Sequence, residues 1–439
     1  MVGTTALHVL IDGEHAGLLV RGGERLTFTY DDDYRSSPNA TPLSTNLPLG
    51  LQVHADEPVL AYIDGLLPDN DAVRQRWAAE FQTRDRPLEL LAEVGEDCAG
   101  AVQLVRDDRV GRIDPGGVSW LTSADIGDWI RQLRVDPTGW LQDAELGQFS
   151  LAGAQSKFAL LRDGRRWGRP HGAVPTTHIV KPAIAGFGGH EINEHLSLTL
   201  ARAVGLSCAR SQIVEFDRER AVVVERFDRF PVGDRVRRVH QEDMCQATGL
   251  RPGAKYESRG GPSAAAIVGV LRNRSASPDE DVDAFIDALI FNWLIANTDA
   301  HAKNYSLLVA GGRVRLAPLY DLASALPYVA RSPTGRRPGE LTSSRLSLAM
   351  SVAGVYRLAE IRRRDFERLF DLLGVDRDAA LQRTQALVEA VRAALPMVVA
   401  PVAAAFDGPM PARFEQAIQG RLGLCRDVLA GRPATGRRR

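Results

Sequence analysis

Asn297-Thr298-Asp299-Ala300-His301-Ala302-Lys303-Asn304 is the stretch on which the reading of this chain turns. It follows a segment, Val282–Ile295, in which Phe285, Ile286, Leu289, Ile290, Trp293 and Leu294 recur on a 3.6-residue period. That pattern predicts a helix with one face in a core. An Asp followed five residues later by an Asn is the spacing a protein-kinase catalytic loop requires. There the Asp orients and deprotonates an acceptor hydroxyl, and the Asn holds Mg2+. The His-Arg that precedes the Asp in that signature is absent here. The spacing alone is therefore a weak signal and needs support from the rest of the chain.

Support lies on both sides. Downstream, Tyr305–Val309 and Arg313–Ala317 read as two strands around Gly311-Gly312, followed by Leu319-Tyr320-Asp321. Kinases place a metal-binding Asp after such a hairpin, and hard Mg2+ takes oxygen ligands. Upstream, Thr177-His178-Ile179-Val180-Lys181-Pro182 puts a Lys at the end of an apolar strand, where a phosphate anchor would sit. The chain has only four lysines, Lys157, Lys181, Lys255 and Lys303, against 50 arginines. Arg and Lys are not equivalent at phosphates or buried sites, so each Lys marks a position to inspect. Ser150-Leu151-Ala152-Gly153-Ala154-Gln155-Ser156-Lys157 is a turn of small residues before a strand. Small side chains let backbone N–H groups close on phosphates.

The 439 residues suit two or three domains. Composition is ordinary, 44% hydrophobic and 25% charged, and excludes wholesale disorder. A net charge of −1 calls for neither a nucleic-acid nor a membrane-surface partner. The four cysteines, Cys98, Cys208, Cys245 and Cys425, are dispersed without a C-x-x-C, which argues against structural zinc and a disulfide framework. The first residues lack a signal-peptide pattern. No apolar run reaches membrane-spanning length, and Pro396 and Pro401 interrupt the longest, Leu395–Phe406. The expected location is the cytoplasm.

Residues 5–30 predict three short strands with turns at Asp12-Gly13 and Gly22-Gly23. Helical periodicity runs from Val59 to Val94, broken at Pro68-Asp69-Asn70, which caps a helix starting near Asp71. Ala99–Val105 closes this first domain, and Asp107–Gly117 is a boundary. Strand and helix then alternate: strands at Lys157–Leu161 and Thr177–Lys181, a helix over Glu191–Val204 ended by Gly205, and a hairpin of Gln212–Phe216 and Ala221–Glu225. From Gln241 onward the chain reads as mainly helical. Arg331–Ser344 reads as a mobile loop and Pro433–Arg439 as a disordered basic tail. His190 and His195, five apart, miss the i, i+4 spacing of a helical metal pair. Gly186–Gly189 lacks a dinucleotide-binding context.

These runs together resemble the HipA-type serine/threonine kinases of bacterial toxin–antitoxin modules. The resemblance rests on Pro42-Leu43-Ser44, Asp64–Asp69 and Gly100-Ala101-Val102 in the first domain. In the remainder it rests on Leu151–Lys157, Thr177–Pro182, Asn193-Glu194, Glu225–Arg229, Gln241–Gln246, Thr298–Asn304 and Pro318–Asp321. It implies an α+β, two-lobed protein-kinase-like fold with an added N-terminal α+β domain and a mainly helical C-lobe. The implied divisions are 1–110, a kinase N-lobe at 111–230, the C-lobe at 231–432 and a tail at 433–439.

The resemblance also implies roles. Asp299 is expected to be the catalytic base, and Asn304 and Asp321 the Mg2+ ligands. Lys181 would anchor ATP phosphates under the covering loop Ala152, Gly153, Ala154, Gln155, Ser156 and Lys157. Glu225, Arg226 and Phe227 would form the hinge that bonds adenine through its backbone, with Asp228 placed to reach the ribose. His301, Ala302 and Lys303 would meet the phosphate side, with Tyr320 beside Asp321. Glu194 would pair with Lys181 or stand as a solvated helix Glu. Ser150 sits where such kinases autophosphorylate, which in the family expels the covering loop and silences the enzyme. Ser156 departs from the pattern, which has an acidic residue there.

The expected activity is transfer of the ATP γ-phosphoryl group to a protein Ser or Thr, with ATP and Mg2+. In the family the target is an aminoacyl-tRNA synthetase, notably glutamyl-tRNA synthetase. The partner is a small dimeric helix-turn-helix antitoxin that binds DNA for the complex. Two alternatives remain open at this stage. One is a catalytically silent kinase-fold corepressor, although Asp299, Asn304, Asp321 and Lys181 are all retained. The other is a small-molecule phosphotransferase.

Overall fold

The computed structural model describes residues 5–109, 116–139, 153, 155–233, 235–330 and 340–432. Ser150, Ala152 and Ala154, most of the Arg331–Ser344 loop and the tail lie outside them. The first strands are β1 (Thr5–Ile11), β2 (Glu14–Gly22) and β3 (Arg25–Tyr30), then helix α1 (Asp32–Ser36) and strand β4 (Val53–Ala55). Asp12 and Gly13 both take positive φ, as a two-residue hairpin between twisted strands requires. Helices α2 (Glu57–Gly65), α3 (Asp71–Glu80) and α4 (Pro87–Val94) follow, then β5 (Val102–Arg106). The five strands form one antiparallel sheet in the order β4-β3-β2-β1-β5. The expected break before α3 is a cap: Asn70 Oδ1 accepts from the Ala72 N–H at 3.0 Å.

The next unit begins with β6 (Gly117–Leu121) and α5 (Ser123–Val135), which the sequence patterns did not reveal. It continues through β7 (Phe158–Asp163), β8 (Arg166–His171), β9 (His178–Pro182), α6 (His190–Ala203), β10 (Ser211–Phe216) and β11 (Glu219–Glu225). Its antiparallel sheet has the order β10-β11-β9-β7-β8-β6. Ile126, Ile130 and Leu133 of α5 share one apolar core with Phe158, Val180 and Val223 of this sheet and with Trp77 and Leu91 of the first domain. Helix α6 belongs to a different core, with Leu196 and Leu200 packed among the C-lobe helices. It is therefore the element that joins sheet to helical lobe.

The C-lobe opens with the hairpin β12 (Arg229–Val232) and β13 (Arg235–Arg238), then β14 (His240–Asp243) and α7 (Met244–Ala247). The expectation of helix from Gln241 is corrected here: Gln241–Asp243 is strand, paired with β15 (Ser306–Ala310), itself paired with β16 (Arg313–Leu316). A four-residue polar strand carries no periodic signal, and the tertiary pairing decides it. Helices α8 (Ala264–Arg274) and α9 (Pro278–Ile295) lie between. Strands β17 (Ser347–Val352) and β18 (Val355–Arg357) interrupt a region read as helical, and α10 (Arg363–Leu373), α11 (Arg377–Ala405) and α12 (Met410–Leu429) complete the lobe.

A second correction concerns α11, which runs unbroken through Pro396 and Pro401. By length and composition alone it is apolar enough to cross a membrane. One face, including Leu387, Val391, Leu395 and Val402, is buried in the lobe core. That burial offsets the hydrogen bonds the prolines remove. All four cysteines are free.

The first domain is joined to the rest by buried charge. Asp97 accepts from Arg229 Nη2 at 2.9 Å, from Thr176 Oγ1 at 2.7 Å and from Arg238 Nη2 at 3.3 Å. Arg226 Nη2 and Arg229 Nη2 donate to Cys98 O at 2.9 and 3.1 Å. Asp228 Oδ2 accepts from the Gly100 N–H at 2.7 Å. Gly100 has φ +76°, and a Cβ there would stand 2.6 Å from Gln241 N, so only glycine fits. Burial pushes the Asp97 carboxyl up, but Arg229, Arg226 and Arg238 outweigh it and hold it well below the usual carboxylate range.

Removing one partner of such a network strands the others. Asp97→Ala is expected to destabilise the fold by about 3–5 kcal/mol. Because the folded carboxyl titrates below its unfolded value, its contribution is present above the ordinary carboxylate range and fades as pH falls beneath it. Urea unfolding at pH 7 and at about pH 3 checks both statements: the difference between parent and variant should shrink in acid.

Candidate active site

Helix α9 delivers the loop that carries Asp299. It ends at Ile295, and Ala296 turns the chain with φ +52°, the left-handed conformation common just past helix ends. A buried amide chain then holds the loop. Asn292 Nδ2 donates to Tyr305 Oη at 2.9 Å, Asn297 Nδ2 to Asn292 Oδ1 at 3.0 Å, and the Asp299 N–H to Asn297 Oδ1 at 3.2 Å. The His301 N–H closes back on Asp299 O at 2.8 Å, and a single 3-10 turn, Ala302–Asn304, follows. Asp299 is left exposed at the mouth of a cavity, while His301, Lys303 and Asn304 are buried in its wall.

Lys181, Glu194 and Asp321 meet across three elements. Lys181 Nζ on β9 donates to Glu194 Oε1 of α6 at 2.7 Å and to Asp321 Oδ1 at 2.5 Å. Of the two readings of Glu194, the ion pair is the one observed. Asp321 has φ +58°, a strained conformation for a residue with a side chain. Asn193, the neighbour of Glu194, holds the following segment: its Nδ2 donates to Ser324 O at 2.8 Å and its Oδ1 accepts from the Ser324 N–H at 3.1 Å. Burial pushes Lys181 down and Asp321 up, but Asp321 and Glu194 reverse the first tendency and the Lys181 and Lys157 ammoniums reverse the second. Lys181 stays a cation and Asp321 an anion.

Lys157 is also buried at this cavity, and burial together with the Lys181 charge pushes its ammonium down to about 8. Two mutually repelling lysines at one cavity wall make a place suited to a polyanion. Gly153 has φ +108°, and a Cβ there would come within 2.4 Å of Lys157 Nζ. Gly153 is bridged to Pro68 of the first domain, and its carbonyl accepts from the Asp69 N–H at 3.1 Å.

The cavity, about 650 Å3, has the size of a small-molecule site. Its apolar end is lined by Ile179, Ala209, Val224, Phe227 and Tyr320. Phe227 and Tyr320 lie with ring centroids 5.4 Å apart, and Tyr320 Oη donates to Lys303 O at 2.5 Å. Its polar end carries Gln155, Ser156, Lys157, Lys181, Asp299, His301, Asn304 and Asp321. His301 Nδ1, His190 Nδ1 and Gln241 Oε1, of residues that line the cavity, are buried without a hydrogen-bond partner among the described residues, as donors and acceptors for a ligand would be. Among the described residues no group of three or more His, Cys, Asp and Glu gathers as a metal cage. Asp321 and Asn304 offer hard oxygen donors, a set suited to Mg2+, which keeps several waters.

Two expected side-chain contacts, Asp228 and Lys303, line the cavity but are also committed to ion pairs within the protein. The Asp228 carboxylate is 3% exposed and bonded to Arg226 and Gly100. The Arg226 guanidinium belongs to the same network. The Lys303 ammonium is 3% exposed and donates to Asp243 Oδ2 at 2.9 Å and Gly65 O at 3.0 Å, with Asp69 Oδ1 at 3.6 Å. Asp243 Oδ1 meanwhile caps α7. The Gln241–Gln246 run is thus an anchor for the first domain. Glu242 accepts from Ser44 Oγ and Thr45 N, and Gln246 Nε2 donates to Tyr62 O.

The site also includes Gly65, Asp69, Asn70, His190, Gln241, Asp243 and Lys255, none of which the sequence reading assigned to it. The Asp64–Asp69 run and the scarcity of lysine were the available signals.

The chain's residues 7–105 match the model of the HipA N-terminal domain, and residues 149–395 match that of the HipA-like C-terminal domain. A candidate kinase of Sinorhizobium fredii, Y4mE, is 33% identical over 96% of this chain and 98% of its own length. The serine/threonine-protein kinase toxin HipA of Shewanella oneidensis is 32% identical over 68% of this chain and 70% of its own. Among solved structures, HipA of that organism, in a complex with HipB and operator DNA, superposes with a TM-score of 0.79. It is 24% identical, covering 97% of this chain and 99% of that one. The last comparison speaks to the fold, which is two-lobed and kinase-like.

If Lys303 served only a ligand, its loss would leave the empty protein as stable as before. Its buried ion pairs predict otherwise. Lys303→Ala is expected to lower stability by about 3–5 kcal/mol without any ligand present, because Asp243 loses its cation and Asp69 keeps only Lys255. Urea unfolding of the ligand-free variant measures it.

Proposed function

The chain belongs to the HipA family, and we propose that it is an ATP-dependent serine/threonine protein kinase acting as the toxin of a toxin–antitoxin pair. The observation that carries this reading is Lys181 held between Glu194 and Asp321 in a cavity that also contains Asp299 and Asn304. A phosphate anchor, a base and two metal-donor side chains are the parts phosphoryl transfer needs, because that reaction is catalysed mainly by positioning and charge.

In the proposed mechanism, Asp299 accepts the proton of a Ser or Thr hydroxyl as its oxygen attacks the γ-phosphorus of ATP. The bond from that phosphorus to the bridging oxygen breaks, and ADP leaves. Lys181 and Lys157 face the charge of the phosphates. Bound at Asn304 and Asp321, Mg2+ would neutralise charge on the phosphate oxygens. Ile179, Val224, Phe227 and Tyr320 supply an apolar slot for the base. The hinge role falls to the backbone of Glu225–Phe227, since the side chains of Arg226 and Asp228 are committed to the first domain.

The partner in this reading is a helix-turn-helix antitoxin, through which alone the pair would meet DNA. The relative from Shewanella oneidensis crystallised with such an assembly, HipB and operator DNA. The protein substrate is an aminoacyl-tRNA synthetase of the glutamyl type, and the reaction takes place in the cytoplasm. Phosphorylation of Ser150, next to the covering loop, would add about −1.5 to −2 charges near those of ATP and silence the enzyme.

Two measurements test this. Asp299→Asn is expected to keep ATP binding and lose about 10²–10⁴-fold in transfer of radiolabelled phosphate. Parental transfer in the variant refutes the base assignment. Intact-protein and peptide mass spectrometry during incubation with Mg2+ and ATP should show phosphate on Ser150, with activity declining in step. Full modification with undiminished activity refutes the self-silencing role.

A further inference from the structure

The carboxylate assigned as the base is not free. Tyr256 Oη donates to Asp299 Oδ1 at 2.6 Å, a short, charge-assisted bond. The residue before Asp299 is Thr298, not the Arg of the kinase signature, so this support arrives from another part of the chain.

Tyr256 is itself held on several sides. Its ring meets His301 edge-on, with centroids 5.1 Å apart at 87°. The carbonyl of Lys255 accepts from the Ala302 N–H at 3.2 Å, which stitches the segment to the loop containing Asn304. Glu257 accepts from Ser351 N and Oγ on β17. The Lys255 ammonium donates to Asp69 Oδ2 at 2.8 Å, and that carboxylate belongs to the first domain. Burial and the bond to Asp299 both push the Tyr256 phenol up, so it remains a proton donor at working pH.

We infer that Tyr256 is a positioning residue: it holds one oxygen of Asp299 and leaves Oδ2 to receive the acceptor hydroxyl, and Asp69 of the first domain fixes it there through Lys255. The first domain is thereby part of the catalytic apparatus. The catalytic consequence rests on the kinase reading; the contact itself does not.

The test uses the full chain, with radiolabelled ATP and Mg2+ as donor and casein as acceptor. Tyr256→Phe should lower kcat about 10–100-fold, the weight of a hydrogen bond to a charged group. The KM for ATP should stay within about twofold, because the residue acts on the base and not on the nucleotide. Asp69→Asn should shift kcat in the same direction by a smaller factor. A parental or raised kcat in Tyr256→Phe overturns the inference, as does a rise in KM for ATP that accounts for the loss.

A double-mutant cycle in urea midpoint with Tyr256→Phe and Asp299→Ala supplies the readout that needs no activity. Coupling is expected: the Tyr256 change should matter less once Asp299 is gone. Strict additivity refutes the contact. A parent that labels neither casein, nor glutamyl-tRNA synthetase, nor itself from radiolabelled ATP, with coupling intact, refutes the kinase reading and with it the catalytic use of the contact.

Discussion

The pairing of Lys181 with both Glu194 and Asp321 is the interaction around which the rest of the molecule is arranged. An ammonium with almost no solvent is tolerable only with carboxylates at hydrogen-bond distance. Here one carboxylate comes from α6 and the other from the segment after β16. The sheet, the joining helix and the helical lobe must therefore stand in one relation for the charges to balance. Helix α6 meets this demand because it touches the sheet on one side and buries Leu196 and Leu200 in the C-lobe core on the other. Asn193, one residue from Glu194, ties Ser324 in the segment that follows Asp321.

The same logic explains why the first domain cannot be regarded as an appendage. Asp97 lies among Arg226, Arg229 and Arg238. Asp69 lies between Lys255 and Lys303. In both places a carboxylate from the first domain adds a counter-charge to buried cations of the rest of the chain, beside Asp228 in the first set and Asp243 in the second. The first set holds the segment Arg226–Arg229, and the second holds the loop that bears Asn304. The apolar core agrees, since Trp77 and Leu91 of the first domain share a cluster with Phe158, Val180 and Val223. In a chain with only four lysines, Lys181, Lys255 and Lys303 make ion pairs at this one cavity.

Much of this was legible in the chain of residues. The three opening strands, the capped start of α3, the end of α6 at Gly205 and the amphipathic α9 follow from hydrophobic periodicity and cap chemistry, which are local. Asp299, Asn304, Asp321, Lys157 and Lys181 were legible from spacing and from the rarity of lysine, and all line one cavity. The elements that escaped were short or polar. Strand β14, His-Gln-Glu-Asp, has no alternation to detect, and its pairing with β15 is a tertiary event. The continuity of α11 through two prolines also depends on packing, because local propensity argues against it.

The sequence by itself determined the class of fold, the order of its parts and the residue types available for the chemistry. Those are properties of periodicity and composition along the chain. Only the tertiary structure decided how those residues are used. Lys303 and Asp228, both of which read as ligand contacts, make buried ion pairs at the cavity wall, while Asp69, Lys255 and Tyr256 stand at Asp299 and its loop. The reason is physical: a buried charge must find its counter-charge in space, and for Lys303 the two carboxylates that supply it lie 60 and 234 positions away, a separation no window along the sequence can read.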